Sequence, residues 1–257
     1  MSDPIVTIIT PCYNASKYIS DTIDSVINQT FTDWELIIID DGSKDNSIEI
    51  IEKYQKKYPN ICLFKKNNAG SSDSRNFGIK IANGRFYAFL DADDIWHKDY
   101  LETMLKNIDS CDVDNAAIYF SGYSRMNSSC TKRTLSDFSV KGVKTKKDLL
   151  RNCPIFPSAA IVDSEKLKEN VFFRSELKSL RDDYVYWLDI MEQGLVAYGF
   201  DDILVDYRMR DDSMTASKLK MIKPQYLVYR KVCKLCIIKS LYYLVCWGLN
   251  GIIKYIK

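Results

Sequence analysis

Phe86-Tyr87-Ala88-Phe89-Leu90-Asp91-Ala92-Asp93-Asp94 is an apolar, aromatic-rich run that ends in three acids within four positions. It reads as a buried strand that delivers carboxylates at its carboxyl end. Clustered carboxylates repel one another, and they stay ionised at neutral pH only when solvated, hydrogen-bonded to donors or shared by a cation. An oxygen-only donor set suits a hard divalent ion, Mg²⁺ or Mn²⁺, with phosphate oxygens in its other positions. The alternative is a strand end leading into a helix with an acidic first turn, since Asp is a good N-cap. The spacing alone leaves both open.

Upstream, the same punctuation repeats. Val6-Thr7-Ile8-Ile9-Thr10 is a β-branched run halted by Pro11, and residues 17–30 carry Ile19, Ile23, Val26 and Ile27 at helical spacing. Trp34 opens a second apolar run that ends at Asp40-Asp41-Gly42-Ser43, followed by an amphipathic segment with Ile48, Ile51 and Tyr54 on one face. Ile61-Cys62-Leu63-Phe64 makes a third strand, Asn67-Asn68-Ala69-Gly70 a turn, and residues 72–82 a third helix closed by Asn83-Gly84. Strands alternating with crossover helices imply an α/β fold with a parallel sheet covered on both faces. In such sheets, ligands bind at the carboxyl ends of the strands where the winding reverses. The candidate polar groups fall there: Pro11, Tyr13 and Asn14 after the first strand, Asp40 and Asp41 after the second, Asp91 and Asp93 after the fourth. That coincidence favours the metal reading, while Asp40-Asp41-Gly42-Ser43 also forms a tight turn in which one Asp shapes the backbone and the other faces a ligand.

Several chemistries are disfavoured at these positions. Pro11-Cys12-Tyr13-Asn14 contains none of the glycines of a dinucleotide fingerprint, which argues against NAD. It also lacks the Gly-rich basic loop with which a sugar nucleotidyltransferase cradles a triphosphate. Residues 91–102 mimic a calcium loop in their acids, but Trp96 stands where that loop needs Gly. Cys12 lacks the base and positive surroundings of a nucleophile and is expected to be packed.

Composition bounds the rest. At 257 residues with 46% hydrophobic content, the chain supports one large domain with or without an appendage and argues against disorder. The opening Met1-Ser2-Asp3-Pro4 reads as neither a secretory signal nor a membrane span. Eight scattered Cys fit reduced thiols of a cytoplasmic protein, and Cys233-x-x-Cys236 has no second pair to complete a zinc site. The net charge of +2 hides an asymmetry: residues 219–257 hold seven Lys, one Arg and no acid, a charge of +8 that leaves −6 on residues 1–218. A mildly acidic body gives no support for nucleic-acid binding, whereas a basic tail rich in Tyr and Trp points to an anionic lipid surface.

The quoted motifs, with Asn68-Ala69-Gly70 and Arg75-Asn76, resemble the inverting family-2 glycosyltransferases with the GT-A fold, a Rossmann-like, mostly parallel sheet flanked by helices. Four motifs in order at successive strand ends make the resemblance specific, and it covers most of residues 4–215. It implies that Pro11, Tyr13, Asn14, Asp40, Asp41, Asp91 and Ala92 contact a nucleotide, usually uridine. It further implies that Arg75 lies along the diphosphate, that Asp91 holds ribose or metal, and that Asp93 binds Mn²⁺ or Mg²⁺ directly. Such a transfer leaves an anionic nucleotide for a cation and a guanidinium to stabilise, and it needs a carboxylate base for the attacking hydroxyl. Leu180-Arg181-Asp182-Asp183-Tyr184-Val185-Tyr186-Trp187-Leu188 resembles the family's acidic pair before an aromatic helix, which implies Asp183 as base with Asp182 beside it; the alternative is an acidic first turn complementing the helix dipole. In Leu204-Val205-Asp206-Tyr207-Arg208-Met209-Arg210, followed by Ser213-Met214-Thr215, Arg210 stands where many relatives have His. A guanidinium there is expected to pair with phosphate, since it ligates no metal; the alternative is a residue of a surface loop. Acceptor contacts are expected in residues 110–178, which hold Lys144-Thr145-Lys146-Lys147 and Cys153-Pro154-Ile155-Phe156-Pro157-Ser158.

Residues 219–257 read as a helical, amphipathic appendage whose longest charge-free run, residues 240–253, is short for a bilayer span. An interfacial helix fits better, with Lys and Arg at anionic headgroups and Trp, Tyr, Leu and Ile in the acyl boundary; the alternative packs the tail on the body or on a second subunit, which leaves a homo-oligomer open. The expected organisation is a glycosyltransferase domain over 1–218, divided into nucleotide-binding (1–94) and acceptor-binding (95–218) halves, with a membrane-associating tail over 219–257. The expected activity moves a sugar from a UDP-sugar to a hydroxyl of a lipid-linked or oligosaccharide acceptor in bacterial surface-polysaccharide synthesis, peripherally on the inner face of the cell membrane. The alternatives are an inactive nucleotide-sugar-binding scaffold, which has no need of Asp183, and a sugar nucleotidyltransferase.

Overall fold

The computed structural model describes residues 3–175, 181–209 and 218–256. Its first half is four parallel strands with crossover helices: β1 (Val6–Cys12), α1 (Ile19–Ile27), β2 (Trp34–Asp40), α2 (Ser47–Lys57), β3 (Ile61–Lys65), α3 (Ser71–Ile81) and β4 (Phe86–Phe89). The second half follows as β5 (Ile95–Trp96), α4 (Tyr100–Asp109), β6 (Ala116–Met126), β7 (Arg133–Phe138), β8 (Gly142–Lys144), α5 (Lys146–Arg151), β9 (Ala160–Asp163), α6 (Asp182–Glu192) and β10 (Val196–Arg208). The sheet runs β3-β2-β1-β4-β9-β6-β10-β5, with β7 on β6 and β8 on β10. The expected α/β sheet is present and mostly parallel, and β9, β5, β7 and β8 pair antiparallel in its second half.

Neighbouring residues on the central strands point to opposite faces and feed two layers. Ile8 and Ile38 pack with Ile19, Ile23 and Val26 of α1 and with Leu101 and Met104 of α4. Ile9, Ile37 and Ile39 pack with Ile79 of α3 and with Val185, Trp187 and Leu188 of α6. Gly78 lets α3 sit down on β1, since a Cβ there falls 2.5 Å from Ile9 Cγ2. Because the chain winds from β1 out to β3 and returns to place β4 on the other flank of β1, the winding reverses between β1 and β4. Their carboxyl ends open the crevice in which such sheets hold ligands.

Pro11 does not halt the first strand, which continues to Cys12 with Pro11 opposite Ile39. It stands beyond the last β1–β4 pair, Ile9 with Phe89, where its missing N–H costs no bond to β4. The tail also differs from a separate appendage. It forms α7 (Lys218–Leu227), a π-helical turn (Val228–Val232) and α8 (Ile237–Ile256). Val228 and Tyr229 are buried in the layer shared with α3 and α6, and Tyr229 Oη donates to Leu150 O at 2.7 Å. Among the described residues, no helix is long and apolar enough to cross a membrane.

Candidate active site

The acids after β4 divide by environment. Asp91 and Asp93 are half-buried, and Asp94 is buried. Asp94 Oδ2 accepts from Ser158 Oγ at 2.5 Å, Oδ1 accepts from Arg208 N at 3.1 Å, and Ser158 Oγ in turn accepts from Asp91 N at 3.1 Å. Burial, and then the charges of Asp93 and Asp91, push the Asp94 carboxyl well above the usual range. Arg208, at the end of β10, closes the loop from the far side: Nε donates to Asp93 O at 2.7 Å, Nη1 to Ser128 O at 2.6 Å and Nη2 to Asp21 Oδ2 at 2.9 Å. Thus β4, β10 and the Pro157–Ala159 turn share one hydrogen-bonded knot, and Ala92 is packed beneath it.

The first turn of α3 joins this knot to α6. Arg75 Nη2 donates to Asp91 Oδ1 at 2.5 Å, and its guanidinium lies 5.3 Å from the Phe173 ring centroid. One turn earlier, Ser72 Oγ donates to Asp182 Oδ2 at 2.7 Å. Positions three apart on a helix share a face, so Asp91 after β4 and Asp182 of α6 converge on one side of α3. Rings hold the arrangement: Phe173 stacks on Tyr186 at 4.0 Å, and Phe89 of β4 meets Phe173, Tyr186 and Trp187 edge-on. Asp182 is thereby engaged by Ser72, while Asp183 is half-buried in the same first turn.

The loops after β1 and β2 are fastened to each other. Asn14, at φ +49°, accepts from Lys44 N through Oδ1 at 2.7 Å, and its own N–H donates to Ser43 Oγ at 2.9 Å. Asp45 accepts from Ser16 N at 3.0 Å and from Ser47; burial opposes these bonds, yet they lower its carboxyl to about 2. Asp40 is 0% exposed, and its Oδ2 accepts from Gly42 N and Ser43 N. It shapes the turn through Oδ2. Asp41 accepts from Lys66 Nζ, from Ala69 N at 2.9 Å and from Gly70 N at 2.7 Å, which pins residues 66–70. Lys66 also pairs with Asp73 at 2.9 Å. Tyr13, 51% exposed, and half-buried Pro11 line the open side. Burial and Asp40 push the Cys12 thiol up to about 12, so it is no nucleophile.

Among the described residues, no cluster of three or more His, Cys, Asp or Glu side chains forms a metal cage. Asp91 and Asp93 are two hard oxygen donors with partial solvent access, which fits a cation that arrives with substrate phosphates in its other positions. Arg210, Ser213, Met214 and Thr215 lie outside the described residues. The roles of Ser158, Lys66 and Ser72 carried no signal in the sequence, since each acts across long separations. Ser158 falls in the segment expected to touch acceptor but is fully buried beneath Asp91.

Comparison with known proteins places this geometry. Residues 7–166 match the family model described as "Glycosyl transferase family 2". The chain is 33% identical over 98% of its length, and 97% of the other's, to the putative teichuronic acid biosynthesis glycosyltransferase TuaG of Bacillus subtilis (strain 168). It is 32% identical over 88% of its length, and 85% of the other's, to the UDP-Glc:alpha-D-GlcNAc-diphosphoundecaprenol beta-1,3-glucosyltransferase WfgD of Escherichia coli. In fold it resembles S. aureus TarS 1-349, solved in complex with UDP-GlcNAc, with TM-score 0.68, 21% identity, and coverage of 95% of this chain and 70% of that one. It likewise resembles the mannosyltransferase PcManGT of Pyrobaculum calidifontis, solved with GDP-Man and Mn2+, with TM-score 0.69, 17% identity, and coverage of 95% and 70%. The strand-end acids, the α3 junction and the matched sequence lead to one conclusion: the chain belongs to glycosyl transferase family 2.

Proposed function

We propose that the protein moves a sugar from a UDP-sugar to a hydroxyl of a lipid-linked saccharide, with inversion at the anomeric carbon and with Mg²⁺ or Mn²⁺, at the inner face of a bacterial membrane during surface-polysaccharide assembly. The observation that carries this reading is the double attachment of α3, through Arg75 to Asp91 and through Ser72 to Asp182. It brings Asp91, assigned here to the diphosphate side, and Asp182, beside the assigned base, to one turn of helix. The named donor and acceptor of WfgD agree with it.

In this reading Tyr13 and Pro11 flank the uracil, with Asn14 and Asp41 holding the loops that shape its pocket. Asp91 and Asp93 hold the cation, which supplies positive charge against the departing diphosphate when bound. Arg75 adds a guanidinium on the same side, and Arg210 is assigned a pairing with phosphate oxygens. Asp183 takes the proton of the acceptor hydroxyl as its oxygen bonds to the anomeric carbon from the face opposite the phosphate. The bond from that carbon to the phosphate oxygen breaks, and UDP leaves with both bonding electrons. Asp182, engaged by Ser72, fixes the helix start.

The test is calorimetric binding of UDP with and without Mn²⁺, alongside a transfer and hydrolysis screen of UDP-, GDP- and dTDP-sugars. Asp93→Ala is expected to lose the cation-dependent part of UDP affinity. Full retention of that part, or a preference for GDP- or dTDP-sugars, overturns the corresponding assignment.

A further inference from the structure

Helix α8 leaves one face uncovered. Ile238, Leu241, Tyr242, Val245 and Leu249 are 80%, 49%, 52%, 60% and 57% exposed. Their spacing of one, three and four residues sets them along a single stripe. The opposite side is seated: Ser240 is buried, Tyr243 and Leu244 pack against the inner layer, and Asn250 Nδ2 reaches Arg151 O at 3.5 Å. Five large apolar side chains in a row on the solvent side of an already docked helix contribute nothing to the packing of the domain and form the kind of patch that marks a docking surface.

The charge around the stripe selects what covers it. Exposed Lys231, Lys234 and Lys239 flank the start of α8. Helix α5, which packs against α8, presents exposed Lys147, and Lys141 and Val143 are exposed on the strand segment before it. With no acid among residues 219–257, a second copy meeting this face symmetrically sets like charge against like. An anionic bilayer neutralises it and accepts the apolar stripe.

We infer that the outer face of α8 lies in the plane of an anionic lipid bilayer, with Ile238, Leu241, Tyr242, Val245 and Leu249 in the acyl boundary and Lys147, Lys231, Lys234 and Lys239 at the headgroups. Helix α5 packs against both α8 and α6, so the lipid face stands one short helix from the element that begins with Asp182 and Asp183. The inference deepens the proposed transfer to a lipid-linked acceptor and rests on it for its purpose, although its measurement is independent.

The full chain is sedimented with phosphatidylglycerol vesicles and, separately, with phosphatidylcholine vesicles. Binding to the first and little to the second is expected, weakening as salt rises from about 0.1 M to about 0.5 M. Leu241→Glu/Val245→Glu/Leu249→Glu is expected to lower the vesicle-bound fraction roughly tenfold while far-UV circular dichroism and UDP affinity stay at wild-type values. A second variant, Lys231→Gln/Lys234→Gln/Lys239→Gln, weakens binding and flattens its salt dependence without touching the apolar stripe. Wild-type protein that stays in the supernatant, or a triple-Glu variant that folds and sediments like wild type, overturns the inference. A lipid-free dimer that the triple-Glu variant loses assigns the face to a second copy and overturns it as well. Loss of UDP binding by the wild type, with vesicle binding intact, sinks the transfer reading alone.

Discussion

Ser72 and Asp182, 110 positions apart in sequence, share a 2.7 Å hydrogen bond that locks the first turn of α3 to the first turn of α6. Because Arg75 on the same face of α3 holds Asp91, this one contact couples the strand-end acids of the first half to the acidic pair of the second. Asp182 accepts from the Ser72 hydroxyl, and the proposed proton transfer is assigned to its neighbour Asp183.

Asp183→Asn is expected to lower kcat about 10²–10⁴-fold with UDP affinity unchanged, because an amide holds the shape of the site and cannot take a proton. Ser72→Ala releases Asp182 without removing the base, so its loss in kcat is expected to be smaller. Steady-state UDP release measures both, and turnover by Asp183→Asn at the wild-type rate refutes the assignment.

Arg208 is 2% exposed at its side chain and donates to three acceptors around the Asp93 loop. Arg208→Met removes three hydrogen bonds made by a buried guanidinium, and a cost of about 1.5–3 kcal/mol is expected. The melting temperature falls accordingly, and the Mn²⁺ concentration needed for half-maximal UDP binding rises because Asp93 is no longer held. An unchanged metal dependence in the folded variant separates the clamp from the cation.

His97 is the single His of the chain, so its titration is readable without assignment. Its ring Nε2 lies 3.2 Å from Asp206 Oδ1, and that hydrogen bond, against the opposing effect of burial, raises its pKa above 6.5. A raised folded-state value means that the stabilisation is complete below pH 6.5 and is lost as pH rises through the folded pKa. Proton NMR is expected to give a midpoint above 6.5 that falls toward it in Asp206→Asn; a midpoint insensitive to that change excludes the pair.

Gly78→Ala places a Cβ 2.5 Å from Ile9 Cγ2 at the seat of α3. Overpacking of this kind costs about 1–3 kcal/mol, and the melting temperature is expected to drop by about 2–4 °C for each kcal/mol. Thermal unfolding measures it, and an undiminished melting temperature shows that α3 moves freely on β1.

The strand-and-helix alternation of residues 6–89, the acids at the strand ends and the family motifs were legible in sequence, because apolar periodicity and turn chemistry are local properties of the chain. Pro11 misled as a strand terminator, since only the pairing pattern reveals that β4 has already ended beside it. The sequence offered Asp40 and Asp41 as equals; both are buried, and their hydrogen-bond donors assigned the first to its turn and the second to the 66–70 loop. The tail's helices and basic charge were legible too, but the burial of Tyr229 and the outward stripe of α8 exist only once the chain has closed on itself. What the linear order determined by itself was which side chains are present and in what local conformation. Which carboxylate is sealed, which is held and which faces solvent was decided by contacts between residues 67 to 115 positions apart, such as Ser158 with Asp91, Ser72 with Asp182 and Arg208 with Asp93. Such contacts are set by the packing of whole elements, whose geometry no local pattern encodes.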